Sequence, residues 1–189
     1  MSTEKQTNEQ VPNQLDATME IIEQKLEELN IKLGTGDGFT PRTEWPSLET
    51  TLKNSGWSPE RRVNIASELD QLNSQGVKIN QFAIDFISSF NELSITFPKR
   101  TANNTHTYIF NIKSSIEEYH TDIREVHERK TQSTLCPIGI SEDKMVVLLI
   151  AETGKVYASV DTSLEFVANT YQEALIKLNR NEPFIDLEE

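Results

Sequence analysis

LCPIGISEDKMVVLLIAETGKVYASVD, residues 135–161, is the stretch whose reading decides the fold. Met145–Ala151 is the one strongly apolar run in the chain, and Val146, Val147 and Ile150 give it β-branched weight. Its length suits a largely buried strand. Glu152-Thr153-Gly154 follows as a turn, because Gly154 can take the positive φ that a tight hairpin needs. Lys155–Val160 alternates as the returning strand. Leu135–Ile140 precedes the pair as another strand, kept short by Pro137, which has no amide proton for a ladder.

Outward from this hairpin, Leu93–Phe97 and Thr107–Ile112 alternate as two earlier strands, and Leu164–Ala168 is ambiguous. The polar loop from Pro98 to His106 carries no pattern and is expected to be mobile. Pro46–Lys53 predicts a short helix that stops at Asn54-Ser55-Gly56. Ser58-Pro59-Glu60 has the form of a helix start, continued by Ile65, Ala66, Leu69 and Leu72 and closed by Gly76. Asn80 caps a helix with Ala83, Phe86, Ile87 and Phe90 on one face. Ser114 and Glu117 have capping-box spacing and open a helix bearing Ile116, Tyr119, Ile123 and Val126. Tyr171–Leu178 closes the set. The expected fold is α+β: a mostly antiparallel sheet of about five strands with helices packed on one side.

Ahead of this body the chain divides further. Residues 1–12 read as a disordered tail. Residues 13–33 form an amphipathic helical extension with Leu15, Met19, Ile22, Leu26, Leu29 and Leu33 on one stripe. Residues 34–46 are a Gly- and Pro-rich linker, residues 47–180 the folded body, and residues 181–189 an acidic tail expected to fray. The stripe can dock on the body, which the marginal stability of isolated helices favours, or pair with a second copy or a partner helix.

The 189 residues carry a net charge of −12. Such a chain repels phosphate backbones and attracts basic proteins, so nucleic acid is not an expected direct ligand. The N-terminus has no apolar signal core, and no run reaches the roughly 18 residues of a membrane span. Cys136 has no second cysteine to pair with. A cytoplasmic location is therefore expected.

Candidate chemistry is sparse. Gly34-Thr35-Gly36-Asp37-Gly38 follows a helix and lacks a Lys-Ser/Thr ending, so it is not a phosphate loop. His106, His120 and His127 read as solvated surface residues, and His120 and His127 are two turns apart, too far for one metal ion. Cys136 reads as a buried structural thiol, with a hydrolase nucleophile as the alternative. No catalytic residue, metal or cofactor is expected. The acids near the sheet rim are of more interest: Glu142, Asp143, Glu152, Asp161 and Glu165 flank the hairpin on loops and are expected to form a negative docking surface.

Three stretches in order are similar to one family. The first is Gly56-Trp57-Ser58-Pro59-Glu60-Arg61-Arg62. The second runs from Pro137-Ile138-Gly139 through the apolar strand to Gly154-Lys155-Val156-Tyr157, and the third is Tyr171-Gln172-Glu173-Ala174-Leu175. Together they resemble the third subgroup of the SUKH superfamily of bacterial immunity proteins over about residues 47–180. The resemblance implies an α+β fold, no catalysis, and an antitoxin that binds a cognate toxin, often a nuclease with a basic cleft, in the cytoplasm. The chain departs from the family pattern at Asn91-Glu92-Leu93, where a Gly-Gly-Leu turn is usual, and in its N-terminal helix. A regulatory or scaffolding module built on that helix is the alternative function.

Overall fold

The computed structural model describes residues 42–187. The expected tail at 1–12, the helix at 13–33, the linker up to residue 41 and the last two glutamates lie outside the described residues. In chain order the elements are α1 (Leu48–Asn54), α2 (Ala66–Ser74), α3 (Gln81–Phe90), β1 (Leu93–Pro98), β2 (Thr105–Phe110), α4 (Ile112–Glu118), α5 (Thr121–Thr131), β3 (Leu135–Ser141), β4 (Val146–Ala151), β5 (Val156–Val160), β6 (Ser163–Ala168), α6 (Tyr171–Arg180) and β7 (Ile185–Asp186).

The strands form one seven-stranded sheet in sequential order, β1 to β7. Every neighbouring pair is antiparallel. The α+β class agrees with the sequence; the strand count of about five does not. One addition is β6, whose alternation is hidden by a bulge that leaves both Val167 and Ala168 buried. The other is β7, where Ile185 and Asp186 pair with Phe166 and Glu165 in a stretch too short and polar to signal a strand.

β4 sits mid-sheet and is apolar on both faces. Leu148 and Ile150 join one core with residues of α1, α2, α3, α4 and α6. Val147, Leu149 and Ala151 join a second core with Tyr119, Leu164 and, from α5, Ile123. Each fully buried Leu or Ile is worth about 1.5–3 kcal/mol relative to exposure. Helices therefore cover both faces, and the expectation of helices on one side is corrected. The helix expected to carry Ile116, Tyr119, Ile123 and Val126 on one face is in fact two. Asn111, rather than Ser114, caps α4 by accepting from the Ser114 amide (3.1 Å). The chain breaks at Tyr119 because one straight helix cannot reach both cores, and Val126 is left exposed.

Gly139 shows why the motif strand needs a glycine. A Cβ there would lie 2.5 Å from Cδ1 of Phe110. Phe110 in turn packs edge-on against Phe86 and Phe90, and Trp57 stacks on Phe90 at 5.7 Å. β2 pairs with β3 only at Tyr108↔Ser141 and Ile109↔Ile140, so Pro137 lies beyond that pairing, where its missing amide proton is not needed. Gly154 takes φ +84 in the β4–β5 turn, and its open face lies under the Phe82 ring.

Ser58-Pro59-Glu60 makes a single turn rather than a helix, and α2 begins only at Ala66. Tertiary bonds keep the intervening segment out of a helix. Arg61 donates to the carbonyls of Ser89 (3.0 Å) and Asn91 (2.8 Å), and the Val63 amide donates to Ser88 (2.9 Å). Arg62 bonds only to nearby carbonyls. At the Asn91-Glu92 corner Glu92 takes φ +66, a conformation that glycine adopts without strain. The loop expected to be mobile is tied down: the Arg42 guanidinium donates to the carbonyls of Lys99, Ala102 and Asn104.

The surface reading of the histidines is corrected for two of the three. His127 is fully buried and His106 half-buried, while His120 is exposed. His127 Nε2 lies 3.2 Å from the Thr162 carbonyl, which can only accept, so this nitrogen carries the proton. Nδ1 then accepts from the Tyr119 hydroxyl at 3.3 Å. The ring thereby fastens α5 to the β5–β6 turn. His106 Nε2 meets the Leu178 carbonyl of α6 at 3.2 Å.

Two predictions follow from this packing. Gly139→Ala should destabilise the fold by about 1–3 kcal/mol in urea denaturation, and by less in a Phe110→Leu background. Equal destabilisation in both backgrounds would show that the ring is not the obstacle. Burial lowers the pKa of both His127 and His106 below the ordinary 6.5. Near that pH the unfolded chain binds more protons, so stability should fall as pH drops from about 7 to about 5. His127→Gln should flatten part of that slope; an unchanged slope would contradict the assignment.

Candidate functional site

The five rim acids do not form one surface. Glu142 and Asp143 occupy the β3–β4 turn and Asp161 the β5–β6 turn. The register Val146↔Val160 brings these two turns side by side and sets Met145 opposite Asp161. Glu152 sits in the β4–β5 turn, at the other end of β4, where it accepts from the Thr134 hydroxyl (3.3 Å). Glu165 is half-buried within β6, paired with Ala158 and Asp186. The structure therefore joins Glu142, Asp143 and Asp161, and separates Glu152 from them.

The three joined acids differ in what their carboxylates already do. Asp143 accepts from the Ser141 hydroxyl (2.5 Å) and the Met145 amide (3.1 Å), and these bonds hold its carboxyl below the usual range. The Ser141 oxygen also receives the Val146 amide (2.9 Å), so Asp143 mainly shapes its turn. Lys144 takes φ +62 and pairs with Glu118 at 2.9 Å. Asp161 takes φ +52, a left-handed conformation that Asp tolerates better than most residues. Glu142 and Asp161 are exposed and join no ion pair among the described residues.

Met145 is the residue that sequence reasoning missed. It belongs to the apolar run, yet 59% of it is exposed just before β4, beside Asp161. Its position next to Lys144, just after an acidic turn, was the available signal. The rim thus sets a flexible apolar side chain beside three acids on two neighbouring turns. Flexible thioethers suit binding surfaces, and affinity in interfaces concentrates on a few apolar anchors. Much of the chain's negative charge lies elsewhere: residues 1–41 contain Glu4, Glu9, Asp16, Glu20, Glu23, Glu27, Glu28 and Asp37 against Lys5, Lys25 and Lys32.

Other chemistry finds little support. The Cys136 sulfur is buried, and burial pushes its pKa up to about 12, so it is not a thiolate at neutral pH. Tyr108, deep in the first core, is also pushed up, by burial and then by Asp143 and Glu165. Among the described residues no group of His, Cys, Asp and Glu is arranged to hold a metal ion. No described helix is long and apolar enough to cross a membrane.

The motif residues have structural tasks. Gly56 turns the chain at φ +83, and Trp57 stacks on Phe90. Pro59 lies in the turn that aims Arg61 at the end of α3. Tyr157 packs edge-on against Phe166 in the second core. Tyr171 meets Phe86 and Phe90, and Thr170 and Glu173 cap α6.

Among curated proteins and solved structures, no match to the chain is found. A protein-family comparison matches residues 46–181 to the family described as SUKH-3 immunity protein. That span begins just before α1 and ends just after α6, taking in all the described helices, six of the seven described strands and all three motif stretches. The chain belongs to the SUKH-3 immunity protein family.

Proposed function

We propose that this chain is a non-catalytic antitoxin that binds a cognate protein toxin in the cytoplasm and blocks it. The family match over residues 46–181 is the observation that carries this reading. The scaffold roles of the motif residues fit it, since they leave recognition to side chains outside the motifs. The toxin in this reading has a basic cleft of the kind a nuclease uses for nucleic acid. The rim formed by Glu142, Asp143, Met145 and Asp161 meets that cleft. Opposite charge speeds encounter and fixes orientation, and Met145 supplies the apolar anchor.

The experiment is co-expression with the toxin domain encoded beside this chain. Growth should be restored and the two proteins should co-purify; persistent toxicity without a complex would contradict the proposal. Within the complex, Asp161→Lys should slow association about tenfold at low salt, with the difference shrinking as salt rises. Met145→Ala should speed dissociation, because truncating an anchor acts on the off-rate. Glu152→Lys, at the far end of β4, should change neither rate. An effect of Glu152→Lys equal to that of Asp161→Lys would move the docking surface away from this rim.

A further inference from the structure

Residues 93–116 hold Lys99, Arg100 and Lys113 and no Asp or Glu, in a chain with 30 acids against 18 Lys and Arg. Lys99 and Arg100 fall in the β1–β2 loop. The strands run in sequential order and every neighbouring pair is antiparallel, so the β1–β2, β3–β4 and β5–β6 connections share one end of the sheet. The Glu142 amide donates to the Thr107 carbonyl (2.9 Å), which sets the β3–β4 turn against β2. Asp143 feels the loop beside it: the Ser141 hydroxyl and the Met145 amide hold its carboxyl low, and the Lys99 charge adds to them. Neighbouring strands lie about 4.8 Å apart, so the three connections follow one another at roughly 10 Å. That spacing is comparable to the screening length in physiological salt, about 8 Å. A partner in contact with this end of the sheet therefore meets a basic field and an acidic field side by side. The loop backbone is pinned. The Arg42 guanidinium donates to the carbonyls of Lys99 (2.9 Å), Ala102 (2.5 Å) and Asn104 (3.3 Å), and the Arg42 amide donates to that of Arg100 (2.7 Å). These bonds use main-chain oxygens of the loop. The Lys99 and Arg100 side chains are exposed, and neither joins an ion pair among the described residues.

We propose that the docking surface is two-signed: beside the acidic rim, Lys99 and Arg100 receive a carboxylate-bearing segment of the same toxin. This rests on the antitoxin reading above and adds a second chemical requirement to the partner. Two cations on a pinned backbone lose little freedom when a partner arrives. The Arg100 guanidinium can take a carboxylate through two parallel hydrogen bonds, with Lys99 as a second charge beside it. A phosphate fits the place less well, because Glu142 and Asp143 stand on the next turn and the chain as a whole repels it. The two signs also fix orientation, since a partner turned end for end sets like charges against both halves. A uniformly basic protein is rejected at Lys99 and Arg100 for the same reason.

Equilibrium binding of the full chain to the toxin domain encoded beside it, at low salt, tests this. Lys99→Glu combined with Arg100→Glu makes the chain more acidic. If overall attraction to a basic cleft governed binding, this change would tighten the complex. The two-signed surface predicts the opposite sign: a weakening of roughly tenfold, shrinking as salt rises. Lys99→Gln with Arg100→Gln should weaken the complex by less, and this pair decides the matter if the reversed chain does not fold. The thermal midpoint of the free chain should change little in either variant, because both side chains are exposed. Among acid-to-lysine changes made across the toxin surface, at least one should restore binding to the reversed chain. Affinity that is unchanged or tighter in both variants overturns the proposal and leaves the antitoxin reading standing. Absence of a complex with the unaltered chain overturns both. An oligonucleotide that binds the unaltered chain and is released by the reversal would assign the two cations to phosphate, and that also overturns the proposal.

Discussion

The ring of Phe110 rests on the bare backbone of Gly139, and much of the fold depends on that contact. It lets β2 approach β3 at the point where their pairing ends and α4 begins. The same ring faces Phe86 and Phe90, so one side chain links the sheet to α3 and, through them, to Trp57 and Tyr171. A side chain at position 139 would push Phe110 away and loosen this aromatic group. The bulge between Pro137 and Gly139 belongs to the same arrangement, since β-bulges bend a strand and raise its local twist.

The second organising constraint is β4, buried on both faces. A strand with two apolar faces needs a cover on each. α5 supplies the second cover, which is why the chain breaks at Tyr119 and why a histidine is buried beneath α5. His127 ties that helix to the β5–β6 turn, and the turn presents Asp161. The rim is thus held by the scaffold from behind, through the His127 imidazole, and at the β3–β4 turn by the Lys144–Glu118 ion pair.

The central hairpin, the cap at Asn80 and the α+β class were legible because each rests on local signals: an apolar run, a capping residue, a turn glycine. The features that escaped depend on distant partners. Nothing local at Ser58-Pro59-Glu60 reveals that Arg61 will be drawn to Ser89 and Asn91, which keeps the segment from becoming helical. Nothing near His127 announces the Thr162 carbonyl. A bulge masked the period of β6, and β7 exists only because β6 offers an edge. At the rim, the acids were legible as loop residues, but their grouping depends on strand register, which joined Asp161 to Met145 and removed Glu152. The motifs identified the family, yet their residues lie in the scaffold.

Binding in place of catalysis is the central claim, and stoichiometry tests it most directly. Purified chain would be titrated into an active preparation of the cognate toxin domain at concentrations well above the dissociation constant, with residual toxin activity read at each molar ratio. Neutralisation by binding should give a linear fall that reaches zero at one chain per toxin. Full loss of activity at a small fraction of that ratio, or activity that persists in excess chain, would contradict it.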